Sequence, residues 1–230
     1  MGTYYQQHLV GPDLRRAYEL ASPRIRRYLR AEIEYAVRGA RGAGRVLELG
    51  CGYGRFLREI APHVGRATGI DVVRANLLTG RDYLGDLDNC ELVQTNAVRL
   101  AFADASFDVT LCVQNGLSAF RVDPGALVAE AVRVTKVRGR IFFSVYSPRI
   151  WDERLEWFRA QARAGLIGPV DEARTRPGTI VCEDGLRLTT TSGEELRELF
   201  ARTGQRAQVR EIDRSSVFAE VTKEAAGLGS

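Results

Sequence analysis

Arg45-Val46-Leu47-Glu48-Leu49-Gly50-Cys51-Gly52-Tyr53-Gly54-Arg55-Phe56-Leu57 is the stretch that decides the fold. Arg45–Leu49 reads as a buried strand, the next five residues as a turn with glycine at alternate positions, and Arg55–Leu57 as the start of a helix. Glycine has no Cβ and tolerates φ > 0, so a bulky ligand can lie directly on the backbone of such a turn. A strand, a glycine loop and a helix in that order place that ligand at the carboxyl end of a parallel sheet.

Outward from this unit the pattern alternates. Strands are expected near Arg45–Leu49, Ala67–Val72, Glu91–Thr95, Asp108–Val113 and Arg140–Tyr146, with helices near Arg55–Ala61, Arg74–Leu84 and Asp123–Thr135. That rhythm implies a doubly wound, mostly parallel α/β sheet covered on both faces. Upstream, Ser22-Pro23 caps a helix whose apolar residues Ile25, Leu29, Ile33, Ala36, Val37 and Ala40 recur at helical spacing. A shorter helix, about Asp13 to Leu20, precedes it. Downstream, a helix carrying Trp151, Leu155, Trp157 and Phe158 leads into a Gly/Pro-containing stretch. A hairpin follows, Thr179–Cys182 with Leu186–Thr190, turning at Asp184-Gly185. Ser192 and Glu195 form a capping box for a helix to Arg202. Arg206–Asp213 and Val217–Thr222 are the final strands. The organisation expected is an amino-terminal helical cap over 1–44 and a ligand-binding domain over 45–230, within which 147–190 is a small insertion before the last helix.

The chain has 230 residues, 45% of them apolar, enough for one substantial core. No apolar run approaches the about 20 residues a membrane span needs, and Met1–Arg16 has no apolar stretch of the secretory kind. Cys51, Cys90, Cys112 and Cys182 are scattered with no C-x-x-C pair, so the expectation is a reduced, cytoplasmic protein without a metal centre. The formal charge of +4 is unevenly spread: residues 1–45 hold nine arginines and four acids, and the remainder is nearly neutral.

Three further blocks carry chemistry. Gly69-Ile70-Asp71 closes the second strand, and Asp71 stands at the separation from Gly50 expected of an acid that accepts hydrogen bonds from ribose hydroxyls. Asn96-Ala97-Val98-Arg99-Leu100-Ala101-Phe102-Ala103-Asp104-Ala105-Ser106-Phe107-Asp108 follows the third strand. Val132-Arg133-Val134-Thr135-Lys136-Val137-Arg138-Gly139 turns into the fifth. A dinucleotide fingerprint would need its third glycine at position 55, where the chain has Arg55. The pattern Glu48-x-Gly50-x-Gly52-x-Gly54, with the other three blocks, resembles the class I S-adenosylmethionine-dependent methyltransferases over residues 45–146. The last two strands resemble that family's antiparallel ending.

The resemblance implies a seven-stranded, Rossmann-like sheet with an antiparallel C-terminal strand, and S-adenosylmethionine as cofactor. It implies that Glu48, Gly50, Cys51, Gly52 and Gly54 hold the cofactor with Asp71, that Val72 lies against the adenine, and that Asn96 and Ala97 meet its edge. Asn96 replaces the family's acid, and its side-chain carbonyl can accept from the adenine amine without the charge. Gln114, leaving the fourth strand, is expected to face the cofactor. Asn115, Tyr146 and Trp151 are expected on the acceptor side, with core of the insertion as the alternative reading of Trp151 along with Trp157 and Phe158. Tyr4, Tyr5 and Tyr18 either fold over the cofactor as a lid or pack a helix on the sheet.

Gln114-Asn115-Gly116-Leu117 is not the N-P-P-Y or D-P-P-Y of enzymes that methylate base amines, and no Pro-Cys nucleophile exists. The acceptor expected is therefore a small molecule; nucleic acid is disfavoured, and the protein is a monomer or a homodimer. The rival readings are an RNA- or protein-directed methyltransferase, supported by Arg15, Arg16, Arg24, Arg26, Arg27 and Arg30, and a non-catalytic cofactor-binding regulatory subunit. In-line displacement from a sulfonium needs alignment and exclusion of water more than proton transfer, so no catalytic residue is assigned. Of the two histidines, His8 is the general-base candidate and His63 falls far from the acceptor.

Overall fold

The structure, a computed structural model, describes Tyr4 and residues 8–225; Tyr5, one of the three lid tyrosines, lies outside the described residues. Two helices come first, α1 (Pro12–Glu19) and α2 (Pro23–Ala40), the second capped by the Ser22 side chain, which accepts from the Ile25 amide. The alternating part runs β1 (Arg45–Leu49), α3 (Arg55–Ile60), β2 (Arg66–Asp71), α4 (Arg74–Leu84), β3 (Cys90–Gln94), β4 (Phe107–Cys112), α5 (Gly116–Ala119), α6 (Pro124–Val134) and β5 (Thr135–Tyr146). Then come α7 (Trp151–Arg163), the hairpin β6 (Thr179–Val181) and β7 (Arg187–Thr189), α8 (Gly193–Ala201), β8 (Gln208–Ile212) and β9 (Ser216–Thr222). The Ser192–Glu195 capping box is present on α8.

Seven strands form one sheet in the order β3-β2-β1-β4-β5-β9-β8. β1 pairs in parallel with both β2 and β4, whereas β9 runs antiparallel between β5 and β8. The chain therefore reverses its direction of travel across the sheet between β1 and β4. A crevice opens at that point, beyond the carboxyl ends of the two strands.

Alternation along β1 explains the two faces. Leu47 and Leu49 point into one core, with Leu127, Ala131, Leu196 and Phe200 from α6 and α8. Val46 points into the other, with Val37, Phe56, Leu57 and Leu77 from α2, α3 and α4. β5 differs from expectation in starting at Thr135 instead of Arg140. Where the family places proline, the chain has Val137. The run stays in the ladder, the Arg138 amide donating to the Lys223 carbonyl at 2.8 Å with φ +65° at Arg138. Asp108 anchors this corner, accepting from the Arg45 amide and from Lys136 Nζ, both at 2.7 Å.

The amino-terminal segment and the 147–190 segment pack on each other. Tyr4, Leu9 and Ala17 share a buried cluster with Phe158, Leu166, Ile180 and Leu188, and Ala21, Ile25 and Tyr28 share another with Tyr146, Ile150 and Trp157. Trp157 Nε1 donates to the Ala17 carbonyl at 2.9 Å, and Tyr4 Oη donates to Asp184 Oδ2 at 2.6 Å. Together these two segments roof the crevice.

The face of α2 that packs on the sheet is sterically closed at Gly39, where a Cβ would come within 2.5 Å of the Phe142 ring. Replacing a helical glycine by alanine gains about 1 kcal/mol of propensity. Overpacking a full core costs roughly 1–3 kcal/mol, and Phe142 is 1% exposed with no room to retreat. Gly39→Ala is expected to lower the unfolding midpoint; a midpoint raised in thermal denaturation would show that the ring yields.

Candidate functional site: a roofed cavity at the carboxyl ends of β1 and β4

The glycine loop forms the cavity floor. Gly50 and Gly52 have φ of +72° and +55°. Both approaches are close: a Cβ on Gly50 would lie 2.3 Å from the Phe120 ring, and one on Gly52 would lie 2.9 Å from Leu14 of α1. The loop is held by the Cys51 amide, which donates to the Ile70 carbonyl at 2.8 Å. Cys51 itself is 6% exposed, and burial pushes its thiol well above the usual range, so it lines the cavity as an inert wall. Gly54 stands off the wall; it opens α3 in a left-handed conformation.

Asp71, at the end of β2, ties three segments together. Its Oδ1 accepts from the Val73 amide at 2.7 Å, and its Oδ2 accepts from the Gly52 amide at 3.0 Å. Asn76 Nδ2 stands 3.5 Å from Oδ2, while Asn76 Oδ1 receives the Gly11 amide at 2.7 Å. Burial pushes the Asp71 carboxyl up against the pull of these donors. The Val72 side chain beside it is exposed in the cavity, and Asn96 and Ala97 form the adjoining edge. Asn96 Oδ1 accepts from the Val98 amide at 3.1 Å, leaving one lone pair for a ligand.

The other side of the cavity is built on the residues leaving β4. Gln114 and Asn115 both have positive φ, +56° and +60°. Left-handed conformations cost non-glycine residues roughly 1–2 kcal/mol each, so the surroundings must impose this turn. They do: the Gln114 amide donates to Ser144 Oγ at 2.9 Å and to Glu32 Oε1 at 3.3 Å, and Ser144 Oγ donates to the same Glu32 oxygen at 2.6 Å. Gln114 Oε1 then accepts from Tyr18 Oη at 2.8 Å and from Arg55 Nη2 at 2.7 Å. Asn115 is 2% exposed; its Nδ2 donates to the Thr189 carbonyl at 3.2 Å, and its Oδ1 has no partner among the described residues. Tyr146 closes the end of the cavity.

Besides Gly54, two placements differ from the sequence reading. Trp151 packs half-buried in the roof core and does not reach the cavity, because it opens α7 at the far end from the crevice. Trp157, Phe158 and Gln161, two turns further on, line it instead, with Leu188 from β7. His8 stacks on the Tyr4 ring, centroids 4.5 Å apart, away from the cavity wall. Arg55 and Glu32 were missed. Arg55 drew notice only for breaking a glycine pattern. Glu32 carried a signal: a carboxylate one turn from Leu29 and Ala36 on an otherwise apolar helix face.

Glu48 is the third acid of the site, beside buried Glu32 and half-buried Asp71. It is 4% exposed, and its Oε2 has no partner among the described residues. Burial pushes its pKa up to about 8, only partly offset by Arg55. No group of three or more metal-ligating side chains occurs among the described residues, and no helix there is long and apolar enough to cross a membrane.

A glycine loop beside a carboxylate at the end of β2, under added helices on a 3-2-1-4-5-9-8 sheet, has the layout of a ligand crevice at a switch point of the sheet. Residues 46–139 match the family described as Methyltransferase domain. The ubiquinone biosynthesis O-methyltransferase of Idiomarina loihiensis is 29% identical over 110 residues, 46% of this chain and 44% of that relative, so the match spans under half of the relative's length. Among solved structures, the PH0226 protein of Pyrococcus horikoshii superposes with a TM-score of 0.66 at 19% identity, over 89% of this chain and 93% of that one. The 1,6-didemethyltoxoflavin-N1-methyltransferase of Burkholderia thailandensis, holding 1,6-didemethyltoxoflavin and S-adenosylhomocysteine, does so at 0.59 and 17%, over 86% and 78%. Over residues 46–139 the chain is similar to a methyltransferase domain, and its fold is that of the solved structures on which it superposes.

The raised Glu48 pKa has a thermodynamic consequence. Between its ordinary value of 4.5 and about 8, the folded chain keeps a proton that the unfolded chain releases. Stability therefore falls as pH rises through that window, by about 1.4 kcal/mol per unit. Glu48→Gln is expected to remove this slope and to stabilise the ligand-free protein at pH 7 by on the order of 3 kcal/mol. Thermal unfolding of both proteins at pH 5 and pH 8 checks it; parallel pH dependences would mean that Glu48 is ionised in the fold.

Proposed function

We propose that this chain transfers a methyl group from S-adenosylmethionine to a small-molecule acceptor enclosed in the roofed cavity. The observation that carries the reading is that the glycine cradle and the roof line one continuous cavity. Gly50, Gly52, Asp71 and Val72 stand on one side, and Tyr18, Gln114, Tyr146 and Trp157 on the other.

The residues present fit the cofactor. The Gly50 backbone lines the cavity beneath the Phe120 ring, which leaves no room for a side chain at that position. Asp71 Oδ1, which accepts from the Val73 amide, keeps a lone pair for a ribose hydroxyl. Val72 offers an apolar face for adenine beside Asn96 and Ala97. Glu48 is a buried carboxylate with an orphaned oxygen, and a ligand ammonium is the partner that would let it ionise. When bound, the cofactor supplies an activated methyl on a good leaving group. The chain's own work is to orient the acceptor through Gln114, Asn115 and Tyr146, and to keep water out with the roof.

An acceptor small enough to be enclosed is favoured over a polymer because the two roof segments are joined to each other by Trp157 and Ala17, and Thr189 ties the roof to the turn after β4. The neighbour from Burkholderia thailandensis holds a small molecule together with S-adenosylhomocysteine. The arginine-rich amino-terminal segment gives a nucleic-acid acceptor little support. Arg15 pairs with Glu19, Arg16 with Asp13, Arg30 with Glu34, and Arg24 and Arg27 both pair with Asp213. Arg26 donates to the Ala21 carbonyl.

Calorimetric titration with S-adenosylmethionine, S-adenosylhomocysteine and NADH, on the natural protein and on Asp71→Ala, tests the reading. Binding of the two sulfur ligands alone is expected, weakened by at least about 1.4 kcal/mol, or tenfold, in the variant. Binding of NADH alone, or of none of the three, would discard it.

A further inference from the structure

Arg55 is a cation without a counter-charge in the cavity wall. It opens α3 directly after the glycine loop, half-buried, with its exposed part facing the cavity. Among the described residues its guanidinium makes one hydrogen bond, to Gln114 Oε1, and its carbon lies 4.9 Å over the Tyr18 ring. No carboxylate there comes within ion-pair distance. The acids that sense it do not neutralise it: Glu32 Oε1 is engaged by Ser144 and the Gln114 amide, and burial holds both the Glu32 and Glu48 carboxyls up, toward their neutral forms. A guanidinium does not release its proton, so the charge persists and is costly until something pairs with it.

The wall around it is selective in sign. The acceptor half is built from Leu14, Ala17, Trp157, Phe158 and Leu188, with the orphaned Asn115 Oδ1 as a polar point. The acidic side chains that line the cavity, Glu48 and Asp71, both belong to the cofactor half. An ammonium acceptor would find no counter-charge in the acceptor half, whereas an oxyanion would find Arg55. Flat aromatic and aliphatic walls favour a ring-bearing body.

We propose that Arg55 is the oxyanion-binding residue of this cavity. The acceptor is then a flat, ring-bearing molecule with an ionisable hydroxyl, a phenol or an enol, bound as its oxyanion, with Asn115 Oδ1 accepting from a neighbouring hydroxyl or amine. The assignment rests on the methyltransferase reading above. On binding, the acceptor's O–H bond breaks, the electron pair stays on the oxygen beside Arg55, and the proton leaves to the solvent. The groups facing Arg55 from the surrounding elements are Tyr18 of α1, Tyr28 and Glu32 of α2, Glu48 of β1 and Tyr53 of the glycine loop, with Tyr146 of β5 across the cavity. Burial pushes every one of these up, whereas the Arg55 guanidinium keeps its proton throughout.

The test uses the non-reactive complex with S-adenosylhomocysteine, the chromophoric phenol 4-nitrophenol and its methyl ether 4-nitroanisole. Binding of S-adenosylhomocysteine is measured first by calorimetry on the natural protein, Arg55→Lys and Arg55→Met. It is expected to differ by less than about threefold among them. Absorbance titration of bound 4-nitrophenol is expected to show its ionisation midpoint lowered by about one pH unit, or tenfold. The shift is retained in Arg55→Lys and lost in Arg55→Met, and 4-nitroanisole binds at least about tenfold more weakly than the phenol. Three results would overturn the assignment alone: S-adenosylhomocysteine bound but no phenol, phenol and ether bound equally, or S-adenosylhomocysteine affinity falling about tenfold in Arg55→Met, which gives the guanidinium to the cofactor's carboxylate. Failure of the natural protein to bind S-adenosylhomocysteine would remove the methyltransferase reading and this assignment with it.

Discussion

The left-handed turn at Gln114 and Asn115 is the constraint on which the rest of the site depends. Two adjacent non-glycine residues hold positive φ there because the Gln114 amide is captured by Ser144 of β5 and Glu32 of α2. That capture swings the Gln114 side chain over the crevice, where its one oxygen receives Tyr18 from the roof and Arg55 from the floor. It also turns Asn115 toward β7. A single strained turn thus joins five elements that are far apart in sequence. Its strain is balanced by charge-assisted and backbone hydrogen bonds in a dry setting, where each is worth more than it would be in water.

The roof follows from a shortage of surface elsewhere. Neither α1 nor the β6–β7 hairpin could bury its apolar side alone: α1 has eight residues and each hairpin strand has three. Isolated elements of that size are marginal in water. Packed on each other through Phe158, Leu166, Ile180 and Ala17 they form a shared core. Because this core lies over the crevice and not against the sheet, it can loosen without unfolding the sheet. Closure of the cavity is then a property of two segments acting as one.

Much of this was legible in the sequence, for specific reasons. β1 and α4 fall at the expected boundaries because apolar runs ended by glycine or by a strand–helix junction leave few alternatives. Asp123 and Ser192 mark helix starts because a side-chain oxygen must meet the orphan amides there. The glycine-loop side of the cavity is local to three strand ends, and motif spacing brings its residues together. The acceptor half is not: Trp157 and Trp151 are equally aromatic, and only the rotation and direction of α7 decide which reaches the cavity. Glu32 lies 82 residues from the turn it fixes, a separation at which sequence pattern carries no geometric information. The start of β5 was misplaced because the turn was expected to behave as if its proline were present.

The buried charges also bear on why no acid–base residue is evident. Histidine is absent from the cavity wall, and burial pushes the tyrosines that line it above their usual range, so none is a ready base near neutral pH. Glu32, buried behind the turn, is committed to holding Gln114. A chain arranged in this way does not need to move a proton inside the closed cavity if the acceptor arrives able to shed its own. What it must supply is a fixed positive charge against which the acidic form of the acceptor is unfavourable, and a roof that keeps water from screening that charge. Arg55 is that charge, Tyr18 of the roof lies over it, and Gln114 holds both.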